Sequence, residues 1–334
     1  MTGRIRRGSL DVVLEPGETA LEGLLRGGAE VPSSCRAGAC QACMLRAVSG
    51  DPGSVAQQGL SPALREQGWF LPCMSRPTGE LVIEEGPPPA IGAAIVDVAE
   101  IGRAIVRVRL EPDEELSYRP GQYVQLIQGE HVRAYSLASS PADGRTLELH
   151  VRVHSLGRMS RWLAAAAPGA RVGLRGPAGS CFYTEGRPDQ PLLLVGTGAG
   201  LAPLRAIVRD ARRRGHTGPI ALVHGACDPT GFYLVDELKS MADETGNFRY
   251  VRCAMSGEPS DGVEIGDLTA VTLRLFPCLK GWRIFLCGSP DRVNALKKQC
   301  FLRGAGLKDI SADAFLTARM PPPPLRRGPA PPGG

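Results

Sequence analysis

Three cysteines are crowded into nine residues as Cys35-x4-Cys40-x2-Cys43, and a fourth, Cys73, follows after 29 intervening residues. Thiolates this close can converge on one inorganic centre, and the spacing is that of plant-type ligands to a [2Fe–2S] cluster. Structural zinc sites also use four cysteines, but as C-x2-4-C pairs across a longer spacer, a pattern this set does not follow. A disulfide framework is not expected. The opening Met-Thr-Gly-Arg-Ile-Arg-Arg has basic residues with no apolar stretch behind them, so no export signal is read, and cysteines that are not exported stay reduced. A cluster on Cys35, Cys40, Cys43 and Cys73 moves single electrons, so the rest of the chain has to supply and receive them.

A second group of residues suits a dinucleotide. Gly196-Thr-Gly-Ala-Gly-Leu-Ala-Pro203 follows an apolar run and opens a helical pattern reaching about Arg214. Gly196, Gly198 and Gly200 let a pyrophosphate approach the backbone, the helix start offers N–H groups and partial positive charge, and Pro203 suits a first helical turn. This is not the G-x-G-x-x-G fingerprint, because Leu201 stands where the third glycine would be. Taken alone, such a turn also reads as a tight connection with no ligand. Arg133-Ala-Tyr-Ser136 offers a guanidinium for phosphate, a ring to pack on a flat group and a hydroxyl for a ring nitrogen, although by itself it is as readily a surface turn. Gly157-Arg-Met-Ser160 is another anion-binding candidate at a helix start, and Cys287-Gly-Ser-Pro290 ends an apolar run where open α/β sheets take ligands. His224-Gly-Ala-Cys-Asp-Pro229 has no basic residue for a 2′-phosphate, while Asp228 is placed to accept from a free ribose hydroxyl, so NADH is expected over NADPH.

Three kinds of element have to position these residues. Over 8–85 the signals mix strand and helix: Leu10–Leu14 and Leu81–Glu84 read as strands, and Thr19-Ala-Leu-Glu22 is a capping box for a short helix that Gly27-Gly28 would stop. Gly86-Pro-Pro-Pro-Ala90 reads as a stiff linker. From 91 to 187, alternating runs at 104–110, 122–127 and 147–153, parted by Pro120-Gly121 and Pro168-Gly169, predict an antiparallel barrel or sandwich. From 191 the runs at 191–195, 220–223, 250–254 and 283–287 are continuously apolar, which predicts strands buried on both faces of a parallel sheet. The Pro-rich stretch 319–334 lacks the apolar residues to pack a core.

Composition agrees with a globular protein: 334 residues, 43% hydrophobic and 22% charged, long enough for two or three domains. No run of eighteen apolar residues occurs, so no membrane span is expected. Residues 1–85 hold 8 Lys+Arg against 10 Asp+Glu, a charge of −2, which leaves +7 of the total +5 for the remainder. That split suits complementary docking faces. Basic residues are scattered, with only Arg212, Arg213 and Arg214 in a run, which does not suggest nucleic acid. Cys181, Cys227, Cys253, Cys278 and Cys300 share no ligand spacing, and the histidines stand singly, so neither adds a metal site.

In this order, the cysteine set, R-x-Y-S, G-x-G-x-G-x-x-P and C-G-x-P, the chain resembles the ferredoxin–NADP reductase superfamily over about residues 8–317. More narrowly, it is similar to the NADH-dependent reductase components of bacterial multicomponent oxygenases, of the methane and phenol monooxygenase type. The resemblance implies a multidomain fold. A β-grasp α+β ferredoxin domain would take 1–87, an antiparallel β-barrel FAD domain 91–187 and an α/β parallel-sheet NAD domain 188–318, followed by a disordered tail at 319–334. An N-terminal ferredoxin domain implies FAD rather than FMN. Arg133 would contact the flavin phosphates, Tyr135 would pack on the isoalloxazine and Ser136 would lie near flavin N5. Gly157 and Ser160 would help bind the pyrophosphate, Cys287 would lie near the nicotinamide, and Asp313 and Phe315 would close the flavin site.

A cytoplasmic, monomeric NADH:acceptor reductase is then expected, with a terminal oxygenase or another electron-acceptor protein as partner. A deoxysugar dehydratase acceptor, or a carrier or sensor that turns nothing over, are the alternatives. The physics suits the arrangement: NADH gives two electrons as a hydride, the cluster takes one at a time, and a flavin can do both. Backbone hydrogen bonds around Arg36, Gly38 and Gln41 would tune the iron.

Overall fold

The capping box forms as its spacing predicts. The Thr19 N–H donates to Glu22 Oε2 at 2.9 Å, and the Glu22 N–H donates to Thr19 Oγ1 at 3.3 Å. A computed structural model describes residues 3–31, 33, 36, 38, 41, 43–58, 60, 62–84, 90–129, 131–184, 187–244, 246–258 and 262–315. Cys35, Cys40, the prolines of the linker and the 319–334 stretch lie outside the described residues.

The N-terminal unit is a five-stranded sheet of β1 (Arg4–Arg7), β2 (Leu10–Val13), β3 (Leu45–Ser49), β4 (Trp69–Phe70) and β5 (Glu80–Ile83), in the order β2-β1-β5-β3-β4. β1 and β5 run parallel at its centre, and the other pairs are antiparallel. Helix α1 (Ala20–Arg26) buries Ala20, Leu21 and Leu24 in the same core as Ile5, Leu81, Cys43 and Cys73. A second short helix, α2 (Pro62–Glu66), precedes β4. Strand β1 carries no apolar alternation to betray it, since its one core residue is Ile5, fully buried between arginines.

The second unit is six antiparallel strands: β6 (Ile91–Gly102), β7 (Ile105–Pro112), β8 (Tyr123–Gln128), β9 (His131–Ser136), β10 (Leu147–Arg152) and β11 (Arg171–Ala178), in the order β10-β7-β6-β11-β8-β9. The sheet curls until its edges meet. Leu137, just past β9, bridges Leu149 of β10, and the Ala138 N–H donates to the Glu148 carbonyl at 2.7 Å, which makes a barrel of the alternating runs. Helix α3 (Arg158–Ala164) packs Met159 and Leu163 into the barrel core. On β10, Leu147, Leu149 and Val151 fill the interior, and Glu148 and His150 take the opposite face.

The third unit is a fully parallel sheet: β12 (Leu192–Thr197), β13 (Ile220–Ala226), β14 (Phe248–Ala254), β15 (Val263–Ile265), β16 (Arg283–Gly288) and β17 (Ile310–Ala314), in the order β15-β14-β13-β12-β16-β17. Its apolar runs split between two cores. Leu192, Leu194, Leu222 and Phe285 face one side, and Leu193, Val195, Val223 and Leu286 face the other. Helices α4 (Leu201–Arg213), α5 (Val235–Asp243), α6 (Leu268–Leu275) and α7 (Pro290–Leu302) cover the faces. Strand order reverses between β12 and β16, so a crevice for a ligand opens at their carboxyl ends.

Candidate active site

Residues far apart in the chain meet at that crevice. Ser136 ends β9 of the barrel, and its hydroxyl donates to Asp313 Oδ2 of β17 at 3.4 Å. Asp313 is register partner to Cys287 at the end of β16. The parallel sheet thus carries Cys287 and Asp313 side by side, and the barrel brings Ser136 against them. Burial pushes Asp313 up to about 6, with the Ser136 hydroxyl pulling the other way. Burial also raises the Cys287 thiol well above the usual range, and its Sγ lies 3.6 Å from Sγ of Cys181. Tyr135 is half-buried beside Ser136, and burial raises its phenol too. A carboxyl poised near neutrality next to a hydroxyl and a buried thiol is a group that can hold or release a proton at the mouth of a cleft.

The glycine turn sits directly above. A Cβ on Gly200 would collide with the Cys287 carbonyl, and one on Gly196 would meet Leu204 Cδ1 at 2.6 Å, so the turn and the end of β16 touch through backbone alone. Thr197 ties the two together, its Oγ1 accepting from the Ser289 N–H at 3.4 Å. Pro203 is buried in the first turn of α4. Beside Gly198 the barrel contributes Arg152, whose Nη1 would be 3.0 Å from a Cβ at that glycine. That places a guanidinium over the turn where a pyrophosphate would lie. Phe315 packs against the adjoining core, and its N–H donates to the Gly288 carbonyl at 2.7 Å.

Along the barrel, Arg133 is half-buried and donates through Nη1 to the Val132 carbonyl at 2.7 Å. Gly157 caps α3. The Ser160 hydroxyl is engaged within that turn, donating to the Gly157 carbonyl at 3.1 Å and accepting from the His154 N–H at 3.2 Å. The Ser160 side chain is thus held inside the turn that opens α3. A depression of about 520 Å³ beside α3 is lined by Val153, Arg158, Arg161 and Trp162, two cations and an indole that suit the nucleotide half of FAD.

Asp228 follows β13 as expected, but its carboxylate is folded into its own turn. It accepts from the Thr230 N–H at 2.9 Å and from Thr230 Oγ1 at 2.5 Å. Arg103, from the β6–β7 hairpin of the barrel, lies 3.5 Å from it. Arg103, Arg152 and Cys181 escaped the motif reading because nothing in their local sequence marks them; only the packing of barrel on sheet brings them to the crevice.

Of the four cysteines expected to hold the cluster, Cys43 and Cys73 are described, and both are buried in the core of the first unit. Between them and the undescribed Cys35 and Cys40, the loop takes left-handed backbone at Arg36, Gly38 and Gln41. At Gly38 a Cβ would lie 2.8 Å from Met74 Cγ, next to Cys73.

The same three-part organisation emerges from comparison with known proteins. Residues 6–78 match the 2Fe-2S iron-sulfur cluster binding domain family, 95–183 the oxidoreductase FAD-binding domain family and 194–298 the oxidoreductase NAD-binding domain family. The reductase subunit of an aromatic O-demethylase from Amycolatopsis is 34% identical over 95% of this chain and 100% of its own. The chain belongs to the iron–sulfur flavoprotein reductases of oxygenase systems. A second relative, the reductase component of the naphthalene 1,2-dioxygenase system of Pseudomonas putida, is 32% identical over 90% of this chain and 94% of its own. Among solved structures, the Amycolatopsis cytochrome P450 reductase GcoB covers 95% of this chain and all of its own at TM-score 0.69 and 33% identity. The ferredoxin reductase of carbazole 1,9a-dioxygenase shares the fold at TM-score 0.65 and 24% identity. The reductase is thus an FAD-, [2Fe–2S]- and NAD-dependent oxidoreductase. Among its described residues, no helix is long and apolar enough to cross a membrane.

Proposed function

We propose that this reductase takes a hydride from NADH at the Ser136–Asp313–Cys287 cluster and passes electrons singly, through a centre on Cys35, Cys40, Cys43 and Cys73, to a separate terminal oxygenase. The observation that carries the reading is the Ser136–Asp313 hydrogen bond, made between barrel and parallel sheet beside Cys287. Domain limits at 1–87, 91–187 and 188–318 are proposed with it, as is Pro-rich disorder over 319–334.

FAD fits the residues present: a hydroxyl and a buried carboxyl at one end, and a basic, indole-bearing depression beside the Gly157 turn at the other. Bound there, it supplies the exchange between two-electron and one-electron chemistry. Ser136 presents a hydroxyl to the ring, Tyr135 covers it, Arg133 and the Gly157–Ser160 turn hold its phosphates, and Phe315 closes the site. Asp313 holds the Ser136 hydroxyl and carries a proton near pH 6. Gly196, Gly198 and Gly200, with Pro203 starting α4, admit the pyrophosphate of NADH, and Cys287 lines the nicotinamide position. Asp228 stands on the ribose side with its carboxylate held by Thr230 and 3.5 Å from Arg103, so NADH is favoured here only by the lack of a basic residue within 224–229.

The relatives above serve oxygenase systems, which favours an oxygenase over a dehydratase acceptor. The 34% identical O-demethylase subunit and the similar Amycolatopsis cytochrome P450 reductase make a cytochrome P450 the first acceptor to try. A monomer is proposed because large exposed apolar side chains such as Val48, Leu156 and Leu302 come from all three units, with no shared face implied by the fold.

Steady-state reduction of cytochrome c tests the route. NADH is expected to support it far better than NADPH. Cys40→Ser should abolish it while NADH still bleaches the flavin; full cytochrome c activity in that variant would overturn the route through the cluster.

A further inference from the structure

The barrel and the parallel sheet are joined by buried polar groups that the hydride chemistry does not use. Helix α4 leaves the glycine turn, and on its second turn Arg205 reaches back to the barrel. Its Nη1 donates to Glu148 Oε1 at 3.1 Å and to the Ala138 carbonyl at 3.3 Å, while its Nε donates to Glu237 Oε1 of α5 at 2.6 Å. His150 Nε2 lies 3.2 Å from the same Glu148 oxygen, and His150 Nδ1 lies 3.2 Å from the hydroxyl of Tyr233, which belongs to the NAD unit. Tyr233 and His150 are both buried, and the Tyr233 ring stands edge-on to His150. Gly102 of the barrel hairpin packs on Tyr233, where a Cβ would meet Tyr233 Cβ at 2.7 Å.

The proton positions follow from the donors available. Burial works to raise Glu148, but His150, Arg205 and Arg107 outweigh it and hold it at about 2, so it is ionised and only accepts. Burial also lowers His150, keeping it neutral. Its Nε2 must then carry the hydrogen that faces Glu148, which leaves Nδ1 to accept from the Tyr233 hydroxyl. Tyr233→His150→Glu148←Arg205 is a fully satisfied chain crossing the interface twice. Two further arginines at helical spacing, Arg209 and Arg213, pair with Asp143 of the barrel at 3.1 and 2.5 Å.

We propose that Tyr233, His150, Glu148 and Arg205 form a clasp that fixes the glycine turn and Cys287 over the flavin site, which makes Tyr233 and Arg205 positioning residues for hydride transfer. The proposal rests on the reductase reading above. Arg205 lies two residues beyond Pro203, so the helix that carries the nicotinamide turn is bolted to the barrel that carries Ser136. Reacting atoms need near-contact geometry, and displacement by about 1 Å can lower a rate by 10²-fold.

The experiment is anaerobic rapid-mixing of the holoenzyme with NADH and with NADH deuterated at the transferred position. Tyr233→Phe, which removes one hydroxyl, is expected to lower the limiting rate of flavin bleaching about tenfold. The primary isotope effect should rise, the NADH concentration for half-saturation should stay within about twofold, and flavin and cluster absorbance should be unchanged. Arg205→Lys, which keeps the charge and loses the fork, should do the same and serves if Tyr233→Phe does not fold. An unchanged limiting rate and isotope effect in a folded variant would overturn the clasp, even if its melting temperature falls. Failure of NADH to bleach the parent protein would instead overturn the reductase reading itself.

Discussion

In the proposed route, Asp313 is the residue on which the chemistry turns. Burial lifts it from its ordinary 3.8 to about 6, so between those values the folded protein holds a proton that the unfolded chain has released. Stability from this group therefore declines as pH rises through that window, and Asp313→Asn should flatten that part of a melting-temperature-against-pH curve. The same titration should leave an inflection near pH 6 in NADH-driven turnover that Asp313→Asn abolishes. Ser136→Ala, which removes the oriented hydroxyl, should lower flavin reduction by about 10²-fold. If turnover in Asp313→Asn keeps the wild-type inflection, another group carries the proton. At this scale the candidates Ser136, Cys287 and Asp313 were legible, from R-x-Y-S, C-G-x-P and the family resemblance, and the structure brings the three together. Arg152, Cys181 and Arg103 were not, because each acts across an interface that no local pattern encodes.

Among the elements, periodicity decided what could be read. Strands buried on both faces, β12, β13 and β16, announced themselves as continuous apolar runs, and β7 and β10 as alternation. Helix α1 was bounded correctly because its cap is side-chain chemistry and its stop is a glycine pair, with Gly28 in left-handed backbone. Strand β1, with Ile5 its only core residue, and the short β15 and late β17 gave no such signal. The cluster loop depends on backbone conformation more than on pattern. Gly38 has φ of +76°, and a side chain there would press on Met74 beside Cys73. Gly38→Ala should therefore lose the cluster's visible bands while the flavin spectrum persists, as absorbance of the purified variant would report. A full complement of iron and sulfide in that variant would contradict this role for the loop.

For the whole molecule, the order of the three units follows from electron count: a two-electron donor at one end, a one-electron centre at the other, and between them a barrel that touches the NAD unit through a satisfied polar chain. The sequence displayed the three units and their order but not their docking, since Glu148 and His150 read as the outer face of an alternating strand. Only the tertiary contact shows that face to be covered.

The most direct test is an anaerobic titration of the purified protein with NADH, followed in the visible. The account predicts that flavin and cluster bands both bleach, with an end point near about 1.5 NADH per chain, because flavin takes two electrons and the cluster one. Flavin bleaching with the cluster left oxidised, or a protein that carries a cluster and no flavin, would contradict it.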